Sequence, residues 1–163
     1  MTIVRVVLVL LVAVLAAPVA AQQASAELER IRTEKKAWIA LNMELTAAEA
    51  ETFWPVYEGY QKELNQINTR LFRVIETYGA HYRNNTLTDE AARKLTEDSI
   101  AVDESELKLR RTYLPRLAKV LPARKVARYL QLEGRIHTQV RYELASNLPL
   151  AGDFKLGAPR AEK

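Results

Sequence analysis

The 163-residue chain contains no cysteine. Disulfides, thiolate ligands, a cysteine nucleophile and anchoring through a lipidated N-terminal cysteine are therefore excluded. Histidine is scarce too: only His81 and His137 occur, beside two methionines. His137 has Arg141 rather than a second ligand four residues on, and His81 stands alone. Borderline metals want three or four nitrogen or sulfur ligands, so no metal or other cofactor is expected and both histidines read as surface residues. No serine sits in a nucleophile elbow and no glycine-rich loop is built for phosphate. The expectation is a protein that is not an enzyme. Strand-like alternation of useful length is also missing.

The N-terminus is the part that should not enter the fold. Arg5 gives a cationic start, Val6 to Ala17 is an apolar run, and Val19-Ala20-Ala21 supplies small residues before Gln22. That pattern reads as a secretory signal peptide over residues 1–21, cut after Ala21. An uncleaved anchor is the alternative, because Ile3 to Ala21 nearly reaches the ~20 residues that span a bilayer. Once cleaved, the chain has no transmembrane span. Export without cysteine points to the bacterial periplasm, where nucleic acid is a poor partner. A helical domain over residues 22–147 and a flexible tail over 148–163 complete the division.

The rest is helical periodicity. Phe53, Tyr57, Tyr60, Leu64, Ile67, Leu71, Val74 and Tyr78 recur at steps of four and three, the spacing of one stripe on a helix. This helix, from Thr46 to about Tyr82, would be roughly 50 Å long. Thr46 and Glu49 form a capping box at its start. Pro55 lies inside it and predicts a kink rather than a stop. A first helix spans about Ala24 to Asn42, with Leu28, Ile31, Lys35, Trp38 and Ile39 or Leu41 on a looser stripe. Gly79, His81 and Asn84-Asn85 end the second helix, and Thr88 caps the third. The third carries Ala92, Leu95, Ser99, Val102, Glu106, Leu109, Tyr113, Leu117 and Val120 at helical spacing and is bent by Pro115. Ile100, Leu107, Leu114 and Leu121 add a second line seven residues apart, which predicts a wide apolar face. Leu121-Pro122 opens a fourth helix with Val126, Tyr129, Leu130, Glu133, Ile136, Val140 and Leu144 on its stripe. The fold class is all-α: four helices, two of them long and proline-bent, in a cradle-like or bundle-like arrangement with coiled-coil character.

Two acids, Glu106 and Glu133, fall on apolar stripes. If buried they need cations, and Arg110, Arg111, Arg128 and Arg135 are the candidates. A structural polar layer is the expected role. Elsewhere charge is segregated. Asp89 to Glu106 is mostly acidic, whereas Lys108 to Arg141 holds ten bases against Glu133 alone. Either these are solvated faces that pair with the Glu-rich first and second helices, or the basic surface meets acidic polypeptide, lipid headgroups or cell-wall polymers. Trp54, off the stripe, is expected to pack on the first helix, against Trp38.

With the leader, an all-helical chain, Leu45-Thr46-x-x-Glu49 and the Leu121-Pro122 restart, the sequence resembles the Spy/CpxP-type periplasmic proteins with LTXXQ motifs. The run Phe53-Trp54-Pro55-Val56-Tyr57 with the later Lys125-Val126-Ala127-Arg128-Tyr129 looks like a secreted helical branch related to them. The likeness covers about Glu27 to Leu144. Glu49 stands where the motif has Gln; Pro122 and Lys125 replace Thr and Gln in the second copy. The resemblance implies a cradle-shaped, self-associating, ATP-independent chaperone with an envelope-stress role. Such a protein binds unfolded or envelope proteins on an apolar, basic surface, for which Arg110, Arg111, Arg124 and Arg128 are the candidate partner-binding residues. The alternative is a regulatory adaptor for the periplasmic domain of a sensor kinase or an anti-sigma factor.

Overall fold

The computed structural model describes residues 18–151, with side chains from residue 29 onward. The predicted leader thus lies largely outside the described residues, as does most of the tail. Four helices make up the described chain: α1 (Pro18–Met43), α2 (Ala47–Asn84), α3 (Asp89–Ala118) and α4 (Ala123–Asn147). The all-α, four-helix class is as the periodicity predicts. α1 begins earlier than expected, at Pro18, so Ala21 lies within helix. Among the described residues, no helix is long and apolar enough to cross a membrane.

Local chemistry explains the boundaries. Thr46 accepts from the Glu49 amide at 3.3 Å, while Glu49 accepts from the Thr46 amide at 2.8 Å, closing both halves of the capping box. Gly79 and His81 do not end α2, which runs to Asn84. Asn85 then takes the left-handed conformation, φ 51°, of a helix C-cap. Thr88 caps α3 through the Ala91 amide at 3.2 Å. Pro122 occupies the N-cap of α4, one place before the predicted first turn, where its missing N–H costs nothing. α2 and α3 both continue through their prolines, Pro55 and Pro115.

α2 and α3 form a hairpin, α4 folds back on α3, and α1 lies against α4. Gly59 permits the close approach of α2 and α3: a Cβ there would sit 3.0 Å from the Tyr113 hydroxyl. The backbones of α2 and α4 stay further apart, and rings fill the gap. Tyr129 is fully buried and meets Phe53, Tyr57 and Tyr60 edge-on at centroid distances of 5.3, 6.2 and 6.0 Å. Tyr60 continues the chain of contacts to Tyr113 at 5.3 Å. Edge-to-face packing aims the positive ring edge at a negative ring face, worth about 0.5–1.5 kcal/mol per pair beyond area burial. The α2 stripe is core as predicted, with a drift. Towards the C-terminal end Ile75 is buried, while Val74 and Tyr78 are half-buried. A straight helix slips by about 20° per seven residues against a strict heptad, so the buried position moves along by one.

The wide apolar face predicted for α3 is not formed. Leu121 is buried, but Ile100, Leu107 and Leu114 are 53%, 51% and 48% exposed. The core side of α3 is the Val102–Glu106–Leu109–Tyr113–Leu117 stripe. At ~100° per residue, Leu107 lies about 120° around the helix from the middle of that stripe, beyond the reach of α2 and α4.

Candidate functional site

Both acids singled out by the sequence are buried, Glu106 at 6% and Glu133 at 5% exposure. Their partners are not the predicted arginines. Glu133 on α4 receives Lys35 of α1 at 2.9 Å and the Gln61 amide of α2 at 2.9 Å. Lys35 also donates to the Gln61 carbonyl at 2.8 Å, and Gln61 reaches the Tyr129 hydroxyl at 3.4 Å. One residue from each of three helices thus closes a polar layer inside an aromatic core. Burial, then the charge of Glu133, raises the pKa of Tyr129 and Tyr57, and pushes Tyr60 up to about 12.

Glu106 on α3 faces α4 as well. His137 lies 3.2 Å away through Nδ1, and Arg141 at 3.5 Å. Arg141 also pairs with the more exposed Asp103. The prediction of a surface His137 is corrected: it is half-buried, and its pKa is lowered first by burial and then by Arg110 and Arg141, against the opposing pull of Glu106 and Asp103. His137 therefore stays neutral near pH 7, and its contact with Glu106 is a hydrogen bond from Nδ1–H rather than an ion pair. Asp103, Glu106, Leu107, Arg110, His137 and Arg141 line an open groove of about 390 Å³. His81, near the end of α2, turns Nδ1 towards the Thr86 hydroxyl at 3.0 Å. No cluster of three potential metal ligands occurs among the described residues.

The four candidate arginines separate into two places. Arg110 and Arg111 follow Leu107 on α3. Arg110 is half-buried beside the Tyr60 hydroxyl, while Arg111 is exposed. Arg124 and Arg128 lie at the start of α4, near the α1–α2 turn. There Arg128 pairs with Glu44 at 3.3 Å, and Lys125 grips Glu49 at 2.5 Å and the Glu44 carbonyl at 2.8 Å. The Arg128 pair and the Lys125 bond to its carbonyl hold Glu44 at φ 48°, a left-handed conformation uncommon for a residue with a side chain. Cross-helix pairing consumes other charges too: Lys36 with Glu58, and Arg116 with Glu63. Arg116, Lys125 and Arg128 of the basic segment thus pair with acids of α2 and the α1–α2 turn, the kind of pairing that the solvated-face alternative describes. Trp54 does meet α1, but through Lys36, whose ammonium stands 5.0 Å from the ring centroid.

The unspent surface is the outer face of α3. Ile100, Leu107 and Leu114 form a line of exposed apolar side chains, with Glu104, Lys108 and Arg111 exposed around Leu107. Leu41, Tyr82, Tyr142 and Leu150 are exposed elsewhere, one to each helix or segment. Comparisons of the chain with protein-family models, with curated proteins and with solved structures find no match.

Proposed function

We propose that the protein is an exported, non-enzymatic binding protein that holds unfolded or envelope proteins without ATP, and that its binding surface is the outer face of α3. One observation carries this reading: three large apolar side chains, each about half exposed, stand in register on a face where Arg111 and Lys108 have no ion-pair partner among the described residues. Isolated exposed leucines are ordinary, whereas an aligned set on a folded scaffold marks an interaction surface. Basic groups beside it suit polypeptide carrying acidic side chains. Membership in the Spy/CpxP-type group belongs to the same proposal and draws on the two helix-start motifs. Arg110 and Arg111 are the members of the candidate set that flank this face; Arg124 and Arg128 lie apart from it at the start of α4.

The test is suppression of aggregation of two unrelated unfolding proteins at several-fold excess, at low and high salt. Protection of both, weakened by salt and by Arg111→Ala, is expected. No protection of either overturns the reading. A regulatory adaptor would instead leave aggregation unchanged and capture a single partner in a crosslinking pull-down.

A further inference from the structure

Gly134 stands in the middle of α4, and nothing inside the chain calls for it. A Cβ there would meet no atom within 4 Å, in contrast with Gly59, where Tyr113 presses close. The backbone at Gly134 is ordinary helix, in which alanine is the more stable residue. What remains is the other use of glycine, the close approach of a second backbone.

The place of Gly134 shows where that backbone would lie. α3 and α4 run antiparallel, and Arg141 of α4 bonds to Asp103 and Glu106 of α3. Seven residues earlier on the same flank of α4, Gly134 is level with Arg110 and Tyr113. It therefore extends the groove of Leu107, Arg110, His137 and Arg141 towards Leu114, the surface neighbour of Arg110 four residues on. Leu107 and Leu114 border this groove on the α3 side, and glycine borders it on the α4 side. Arg110 lines it, half-buried and with no ion-pair partner among the described residues.

Building on the client-binding role proposed above for the outer face of α3, we infer that the groove holds an amphipathic helix of the client. Its apolar side chains rest on Ile100, Leu107 and Leu114, and an acid meets Arg110. The three apolar residues are ~10.5 Å apart along the axis and turn by only ~20° at each step. A helix lying along them offers an apolar residue every seven positions, at the same ~10.5 Å. An extended strand in register with Ile100 offers side chains on one face every ~6.7 Å, so Leu107 falls between two of them. A helix seated there passes over Gly134, where the missing side chain admits it. The Arg141–Asp103 pair stays intact, and Arg110 gains the carboxylate it lacks.

The probe is a synthetic three-heptad peptide with leucine at the a and d positions and glutamate beside them. Its control contains the same residues rearranged so that leucine alternates with polar residues. By fluorescence anisotropy, the helical peptide is expected to bind at least about tenfold more tightly than the control. Gly134→Ala should raise Tm yet weaken that binding, and Gly134→Leu should abolish it. A purely structural glycine gives the first effect without the second. Arg110→Gln should weaken the glutamate peptide about tenfold and leave a glutamine version unaffected. Equal binding of the two peptides, or wild-type binding by Gly134→Leu, overturns the helix groove. Variants that keep the peptide bound but dissolve a wild-type dimer in sedimentation velocity overturn it as well, and assign the groove to a second copy. Client protection without the helix preference sinks this inference alone. Tight helical binding without protection of either client overturns the chaperone role and keeps the groove.

Discussion

Glu133 and Glu106 are buried to the same degree, on neighbouring helices, yet they do different work. Glu133 is enclosed by α1, α2 and α4, and its counter-charge Lys35 comes from 98 residues away with only 14% of its side chain exposed. Glu106 forms the wall of an open groove, and its counter-charge Arg141 is shared with Asp103 at the surface. A carboxylate that can reach water is protected against losing a partner. One that cannot depends on that partner completely. The difference makes Glu133 the anchor of α1 and leaves Glu106 as an adjustable element of the α3–α4 joint.

The sharpest way to break the comparison is to strand each carboxylate. Lys35→Met leaves Glu133 buried beside Gln61 alone and is expected to cost about 3–5 kcal/mol of stability in urea denaturation. The double variant Lys35→Met with Glu133→Leu should recover most of that, because an apolar pair of similar volume replaces an ion pair without a desolvation penalty. At the other site, Glu106→Gln keeps an acceptor for His137 while Arg141 retains Asp103, so a loss of about 1 kcal/mol is expected by the same measurement. Equal losses at the two sites would remove the distinction.

A smaller effect separates the sites by pH. The folded chain holds the His137 pKa below its ordinary 6.5. Between that value and 6.5 the unfolded chain binds more protons, so the contribution of His137 is present above pH 6.5 and is lost as pH falls towards the folded pKa. Melting followed from pH 7.5 to 5.5 should therefore fall more steeply in the wild type than in His137→Gln, which has nothing to titrate. A slope unchanged by that substitution would show that burial of the imidazole has no part in acid sensitivity.

The helices were legible because their signals are local. Thr46 with Glu49, Thr88 ahead of Asp89, and the unbroken α2 stripe each specify an end or a face within a few residues. The buried acids were legible as well, standing where an apolar residue belongs. Their partners were not, because pairing depends on which helix lies opposite. Arg110 and Arg111 are close to Glu106 in sequence, but Arg141 reaches it from α4. A signal was present: Glu133, His137 and Arg141 form an i, i+4, i+8 column on α4, and Lys35 occupies an apolar position of α1. The exposed line of α3 was misread for a related reason. A heptad of apolar residues says that a face needs covering and does not say whether the cover comes from the same chain.

The Lys35–Glu133 bond also has a consequence in time. α2 and α3 are joined by a turn of four residues and can assemble as soon as both have been made. α1 is made before either and meets α2 through Lys36, but the carboxylate that holds Lys35 lies on α4 and is the last of the three layer residues to be synthesised. The buried ion pair of the earliest helix must therefore wait for the latest one. Until then, the aromatic cluster of α2 lies open on the side that Tyr129 will close.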